Sequence, residues 1–107
     1  KQDIPAPESR VVVGSREIAH AEVFGLYPNP ACQNIQLLYG LSKPSSLVIQ
    51  IVDLNGKEVK IVAKESRKDA GVYHLSDIPV SDVQTGIYLL QLIVDGQRIS
   101  HKVVIKR

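Results

Sequence analysis

The sequence predicts an all-β domain, an immunoglobulin-like antiparallel β-sandwich of about seven strands. From Arg10 onward, short apolar runs rich in Val, Ile and Leu are interrupted about every 8 to 12 residues by Gly, Pro, Asn or Asp, the spacing of sandwich strands. No segment sustains the 3.6-residue period of an amphipathic helix. Two turn dipeptides, Asn55-Gly56 and Asp95-Gly96, each separate two apolar runs, as in β-hairpins.

Length and composition fit one small folded domain. The chain has 107 residues, of which 44% are hydrophobic and 22% are charged, so it lacks the composition of a disordered segment. Its net charge of +2 gives no reason to expect a nucleic-acid partner. The longest apolar stretch, Ile87 to Val94, is far shorter than the roughly 20 residues of a membrane helix. We therefore expect no direct membrane insertion.

The first part of the chain is predicted to be a linker. Residues 1–22 begin with KQDIPAPES, which holds two prolines and few residues that could pack, and this composition favours an extended segment after another domain. Val11–Ile18 is a candidate first strand or extended arm within it. The sandwich is predicted over residues 23–107, and the absence of Met at the start indicates a piece of a longer protein.

The next strands are predicted on both sides of a proline-containing turn. Glu22–Tyr27 is a strand candidate that must end at Pro28 and Pro30, because proline lacks the N–H that a sheet ladder needs. Asn34–Tyr39 and Leu47–Val52 follow, each with alternating apolar residues on one face. Both are predicted to be sandwich strands.

Asp53, Asn55, Gly56 and Lys57 form the strongest turn signal. Asn-Gly tolerates the two positive φ values of a type I′ turn, so a hairpin is predicted here. Val59, Ile61 and Ala63 alternate on its returning strand, and residues 64–70 (KESRKDA) are predicted to be a solvated loop.

Two strands are predicted to complete the sheet after a short one at Gly71–Leu75. Gly86–Val94 is apolar on both faces, so we expect a central strand that is covered on both sides, or covered by a partner on one. Asp95-Gly96 then predicts a second type I′ turn. In the returning strand, Ile99, His101, Val103 and Ile105 share one face.

The residues give little support for catalysis or metal binding. Cys32 and the histidines His20, His74 and His101 lie in separate segments, with no nucleophile motif and no pair at metal-ligand spacing. We predict that the chain is not an enzyme and has no metal or cofactor. Cys32 is expected to be a small packed side chain, and His101 a packed, hydrogen-bonded one.

The end of the sequence carries a local basic bias in Arg98, Lys102, Lys106 and Arg107. Outward lysines commonly protect an exposed edge strand from aggregation. An uncapped, basic, β-branched strand is also what a receptor, or a second copy in a homodimer, could pair with by strand addition. The residues leave both interpretations open.

Four motifs, in this order, resemble the C-terminal sorting domain of the type IX (Por) secretion system. They are Leu26–Ala31 (LYPNPA), Ile51–Val59 (IVDLNGKEV), Gly86–Leu92 (GIYLLQL) and Lys102–Lys106 (KVVIK). Each is weak alone because each doubles as turn or strand chemistry, but together they cover the chain from about residue 23. Cys32 and the long first segment are not part of the pattern.

The resemblance implies structural roles for most of these residues. Tyr27, Pro28, Asn29 and Pro30 would open the sandwich, the turn around Asp53 would form the central hairpin, and Gly86 and Tyr88 would lie in the core strand. The segment read by the machinery would be Lys102, Val103, Val104, Ile105, Lys106 and Arg107. The same resemblance implies a domain attached to an upstream cargo protein of Gram-negative bacteria.

It also implies a route and partners. The domain would be exported to the periplasm, recognised by the outer-membrane translocon, and separated from its cargo by a sortase that attaches the cargo to lipopolysaccharide at the cell surface. The alternative is a retained envelope module that binds a machinery or sensor protein. A substrate-binding accessory domain is disfavoured because aromatic residues make up only 5% of the chain.

Overall fold

The fold is all-β, as predicted. The computed structural model describes residues 17, 18 and 20–106, and for residues 17 and 18 it describes the backbone alone. This part of the chain contains strands and no helix. The strands are β1 (Glu17–Ile18), β2 (Ala21–Tyr27), β3 (Asn34–Leu41), β4 (Ser45–Asp53), β5 (Glu58–Lys68), β6 (Gly71–Pro79), β7 (Gly86–Val94) and β8 (Gln97–Ile105).

The strands form two antiparallel sheets, one with the order β1-β2-β3-β6 and the other with the order β5-β4-β7-β8. The chain changes sheet between β3 and β4, between β5 and β6, and between β6 and β7. This is the strand distribution of an immunoglobulin-like sandwich, in which neither sheet is built from consecutive strands alone. The two-residue β1 is an addition to the seven longer strands, whose number agrees with the prediction.

The core lies between the sheets. Alternation points Ile35 and Leu37 of one sheet, and Ile49, Leu92 and Ile105 of the other, into this layer, where none of them is exposed. Each fully buried aliphatic side chain of this kind contributes about 1.5 to 3 kcal/mol relative to an exposed one. As predicted, β7 is central, with β4 on one side and β8 on the other.

The first hairpin has the predicted place and a different turn. Gly56 has a φ of 85°, but Asn55 does not have a positive φ, so the predicted type I′ turn is wrong here. Asp53 is the cause: its Oδ1 accepts the N–H groups of both Asn55 and Lys57 at 2.9 Å. Because the Gly56 N–H also bonds the Asp53 carbonyl, the loop matches a type I turn followed by one left-handed residue.

The second hairpin confirms its turn prediction. Val94 pairs with Gln97 across a two-residue loop. Asp95 has a φ of 50° and Gly96 a φ of 84°. Two positive values are what a type I′ turn requires.

The predicted loop over residues 64–70 is wrong for most of its length, because β5 continues to Lys68 and pairs with β4. β5 is an edge strand with three register irregularities and no fully buried residue. An edge strand held by backbone pairing needs few apolar side chains, so its composition resembles that of a loop. β6 likewise continues beyond the predicted Leu75, to Pro79.

Each sheet contains a tyrosine that anchors the start of a strand. The Tyr88 hydroxyl donates to the Gln84 carbonyl at 2.7 Å, and the Tyr73 hydroxyl donates to the Asp69 carbonyl at 2.7 Å. A hydroxyl that returns to the backbone a few residues upstream is the tyrosine corner of immunoglobulin-like folds. In both cases a glycine two residues before the tyrosine lies against its ring.

Parts of the first predicted segment lie outside the described residues. Residues 11–16 of the first strand candidate do so, and Glu17–Ile18 form β1. Of the predicted linker over residues 1–22, the structure describes β1, His20 and the first two residues of β2. Nothing in the described part of the chain is a helix long and apolar enough to cross a membrane.

Candidate functional site

The predicted recognition segment forms the end of β8 and alternates between two environments. Val103 and Ile105 face the core and are buried, whereas Lys102 and Lys106 are exposed and Val104 is half-buried. Arg107 lies outside the described residues. A partner approaching the folded domain can therefore contact the side chains of residues 102, 104 and 106, but not those of 103 and 105.

The loop between β2 and β3 lies along the outer edge of this segment. The Asn29 Nδ2 donates to the Lys102 carbonyl at 3.1 Å, and the Val104 N–H donates to Asn29 Oδ1 at 3.0 Å. Beside them, the Ala31 N–H donates to the Val104 carbonyl and the Lys106 N–H donates to the Ala31 carbonyl, both at 2.8 Å. We call these four hydrogen bonds the clasp.

The clasp overturns one expectation from the sequence. The last strand was expected to be uncapped, with a free edge for strand addition, yet its backbone from Lys102 to Lys106 is paired with Asn29 and Ala31. Pro28 and Pro30 bracket Asn29 and cannot themselves donate a backbone hydrogen bond. The asparagine side chain supplies both a donor and an acceptor in their place.

Most of the motif residues gather at one end of the β5-β4-β7-β8 sheet. Asp53 pairs with Tyr88, and Tyr88 pairs with Val103, so these residues form one row across three strands. Gly86 pairs with Ile105 in the next row, and the clasp lies beside them. The sequence motifs that are far apart in the chain therefore meet at the end of β8.

The remaining motif, Asp95-Gly96, lies at the opposite end of β8. Asp95 Oδ1 accepts the backbone N–H of Ser46 at 2.8 Å, and its Oδ2 lies 3.1 Å from Nε2 of His20. The Ser46 backbone donor is the main cause that lowers the pKa of Asp95 from its ordinary 3.8, and the side chains of Ser46 and His20 lower it further. This group ties the turn to β4 and to the residue before β2.

The Ser46, Asp95 and His20 side chains do not have the order of a catalytic triad. A nucleophilic triad needs the histidine between the serine and the acid, so that the imidazole can accept the hydroxyl proton. Here the Ser46 hydroxyl lies 3.2 Å from Asp95 and the imidazole contacts the same carboxylate. The arrangement fastens the turn and does not place a base beside a nucleophile.

The other candidate residues are dispersed. His74 contacts Gln36 at 2.9 Å, and Cys32 is exposed, so its predicted packing is wrong. His101 is half-buried, and its buried Nδ1 has no hydrogen-bond partner among the described residues. Within the described residues, no group of three or more His, Cys, Asp or Glu could hold a metal ion.

Sequence reasoning missed several contributors to the site. It identified the prolines of the β2–β3 loop as a turn, but it did not identify Ala31 or the clasp. It also missed the link between His20 and Asp95. One available signal was the Gly-x-Tyr pattern, which occurs at residues 25–27, 71–73 and 86–88; the last two copies carry the tyrosine corners.

The fold and this site define an immunoglobulin-like sandwich whose last strand is fastened along its edge by a proline-rich loop. The model of the family described as the secretion system C-terminal sorting domain matches residues 25–106, and the chain belongs to this family. Comparison with curated proteins and with solved structures gave no match.

Membership of the family establishes the function at the level of the domain. It is the C-terminal signal that directs a protein to type IX secretion, and it interacts with the secretion machinery. The protein is thereby exported to the outer membrane and cell surface or secreted. The alternative of a retained signalling module is not favoured.

Proposed function

We propose that the secretion machinery reads this signal on the folded sandwich, at residues 102–107, of which Lys102, Val104 and Lys106 present accessible side chains. The clasp carries the proposal, because it fixes the backbone of this segment through Asn29 and Ala31. A segment that is already ordered does not lose conformational freedom again when it binds. Lys102 and Lys106 then offer positive charge at fixed places.

We further propose that the chain is an address and performs no catalysis. The domain crosses the periplasm with its upstream cargo, the translocon recognises it, and a sortase cuts before the sandwich and joins the cargo to lipopolysaccharide. The position of Asp95 between Ser46 and His20 supports a non-catalytic chain. The protease and its nucleophile then belong to the partner.

A homodimer through an edge strand stays a prediction. The clasp occupies one half of the β8 edge, so an edge pairing would use β5, β6, the edge formed by β1 and β2, or the other half of β8. β6 contains neither Lys nor Arg and has nine residues, so no basic side chain of the strand protects this edge. Sedimentation of the full precursor with and without Val72→Lys on β6 tests this arrangement, and a monomer in both cases rejects it.

Recognition of the terminal segment by the secretion machinery can be tested on the full precursor in a secreting strain. We expect deletion of residues 102–107 to stop export, and the double variant Lys102→Glu/Lys106→Glu to reduce it strongly. The double variant removes no buried side chain, so the periplasmic precursor should resist limited proteolysis as the wild type does. Lys57→Glu, in the exposed β4–β5 turn, is the matched charge control and should be exported normally.

Normal surface yield of the double variant would reject the assignment of the signal to these side chains. Loss of protease resistance in the double variant would show a folding defect. In that case the export of Lys102→Gln/Lys106→Gln, which removes the charge without adding acid, tests the assignment instead. Its normal export would also reject the assignment.

A further inference from the structure

The outward side of the β5-β4-β7-β8 sheet carries apolar side chains on both sides of its middle row. Cross-strand pairing places Val48 beside Ile93 and Ile87 beside Val104, and Leu89 lies in a row between these two pairs. Ile87 is 47% exposed and the other four are half-buried. We call these five side chains the outer face. All described strands belong to the two sheets, so no described strand covers it.

A hydrogen-bonded polar row crosses the outer face. Gln50 donates to Gln91 at 2.9 Å, and Gln91 donates to the Ser100 hydroxyl at 3.3 Å. Gln91 is only 6% exposed, although it lies on the side of the sheet that faces away from the core. Because these side chains already bond one another, covering them with a partner leaves fewer polar groups unpaired.

Charged residues border the outer face on both sides, with two basic residues along β8 and one lysine and one glutamate along β5. Arg98 pairs with Ile93, and Lys102 pairs with Leu89, along the β8 margin. Lys64 pairs with Val48 at the β5 margin, and Glu58, which pairs with Val52, is the acid among these paired positions. The margin therefore fits a surface that carries carboxylates around an apolar centre.

We propose that the outer face, with Arg98 and Lys102 at its margin, is a docking surface for an acidic protein of the secretion machinery. The inference rests on the proposed function and deepens it. The clasp blocks the β8 edge from Lys102 to Lys106, whereas Lys102 and Val104 project onto the outer face. The terminal segment is thus read face-on, together with neighbouring strands, and not by strand addition.

A protein partner fits this surface better than an anionic lipid surface does. The outer face is a flat sheet of aliphatic side chains, without the aromatic residues that anchor proteins at membrane interfaces. The polar row also lies across its centre, where lipid chains would offer the spare amide groups no partner. Protein interfaces commonly combine an apolar centre with paired polar groups and a charged rim.

The test uses positions outside the predicted terminal segment. In the full precursor in a secreting strain, we expect Ile87→Glu and Arg98→Glu each to lower the exported fraction by about tenfold, the change that a loss of about 1.4 kcal/mol in binding produces. Arg98→Lys should retain most export because it keeps the charge. Leu54→Glu, whose side chain is 62% exposed in the β4–β5 turn, is the matched control and should be exported normally.

The outcomes separate this inference from the proposed function. If Lys102→Glu/Lys106→Glu blocks export while Ile87→Glu and Arg98→Glu do not, the docking surface is rejected and the terminal signal stands. If none of them lowers export, both fail. Limited proteolysis of each precursor confirms folding, and Ile87→Gln replaces Ile87→Glu if the latter is cleaved; normal export of Ile87→Gln and Arg98→Glu rejects the surface.

Two binding measurements test the choice of occupant. Wild-type precursor is sedimented with vesicles of phosphatidylcholine and phosphatidylglycerol, and separately examined alone for self-association. We expect neither vesicle binding nor a dimer that depends on Ile87. Vesicle binding or dimerisation of the wild type that Ile87→Glu abolishes would overturn the assignment to an acidic protein.

Discussion

The two lateral sides of the sandwich are closed by different means. On the clasped side, which contains β8, the clasp fastens one end of the strand and the Asp95 contacts to His20 and Ser46 fasten the other. On the lysine side, β5 and β6 border a cleft of about 330 Å³. There the Lys60 ammonium donates to the Pro79 carbonyl at 2.7 Å. The Lys68 ammonium lies 4.4 Å from the centre of the Tyr73 ring.

The difference predicts which side of the domain is the more rigid. Backbone hydrogen bonds and buried side chains hold the clasped side, and flexible cationic side chains bridge the lysine side. Bridges of this kind lose side-chain entropy and are screened by salt, so they stabilise weakly. The rigid side carries the residues proposed as the signal. We expect the β5 and β6 amides to exchange with solvent before those of β7 and β8.

The largest expected loss of stability follows from weakening the core on the clasped side. Ile105→Ala should lower the free energy of unfolding by about 2 to 5 kcal/mol, since the side chain is fully buried and its removal leaves a cavity. Val59→Ala on β5, whose side chain is 41% exposed, should cost less than about 1 kcal/mol. Urea denaturation measures both, and equal losses would contradict the contrast.

Removing the side-chain half of the clasp should have an intermediate effect. Asn29→Ala deletes the donor to the Lys102 carbonyl and the acceptor for the Val104 N–H, which costs about 1 to 2 kcal/mol. Amide exchange at Val104 should become faster. Asn29→Asp keeps the acceptor and loses the donor, so its loss of stability should be smaller than that of Asn29→Ala. Unchanged amide exchange at Val104 in both variants would show that the clasp is not stabilising.

The corresponding change on the lysine side should cost less. Lys60→Met removes the bonds to Pro79 and Asp82 and should lower stability by about 0 to 1 kcal/mol, because Asp82 is largely exposed. The difference in stability from wild type should shrink between about 0.05 and about 1 M NaCl, because the Debye length falls from roughly 14 Å to about 3 Å. Lys57→Met, at an exposed turn, is the control, and a difference that persists in high salt would show that packing and not charge is responsible.

The smallest expected change in stability is the pH-dependent contribution of Asp95 on the clasped side. Because its pKa is lowered in the folded state, its contribution to stability is present above the ordinary pKa of 3.8 and is lost as the pH falls through the folded value. Asp95→Asn keeps an acceptor for Ser46 and tolerates the positive φ. Urea midpoints measured from neutral to acidic pH should therefore fall less steeply in this variant, and parallel curves would contradict the sign.

Local chemistry made much of the fold predictable. The β7 bounds were predicted in full, because strong apolar character ends at Gly86 and at Asp95. The inward positions of Val103 and Ile105 followed from simple alternation. The prediction of a type I′ turn at Asn55-Gly56 was wrong because the neighbouring Asp53 side chain accepts hydrogen bonds from the turn amides. The preference of the Asn-Gly dipeptide does not include that competition.

The clasp could not be predicted from local patterns. Pro28 and Pro30 indicate that the chain must turn, but no pattern in the loop states which strand it will meet. Asn29 and its partner Lys102 are 73 residues apart in the sequence, and their contact depends on how both sheets are assembled. The same limit hid the contact between His20 and Asp95, which are 75 residues apart.

That separation gives the clasp a place in the order of folding. A contact across most of the domain closes a long loop, so its entropic cost is met only after nearer contacts have formed. Translation also supplies Asn29 long before Lys102. A chain that stops before Lys102 can pair β2 with β3 but leaves Asn29 without its carbonyl and amide partners. The completed clasp thus distinguishes a fully synthesised domain from a truncated one.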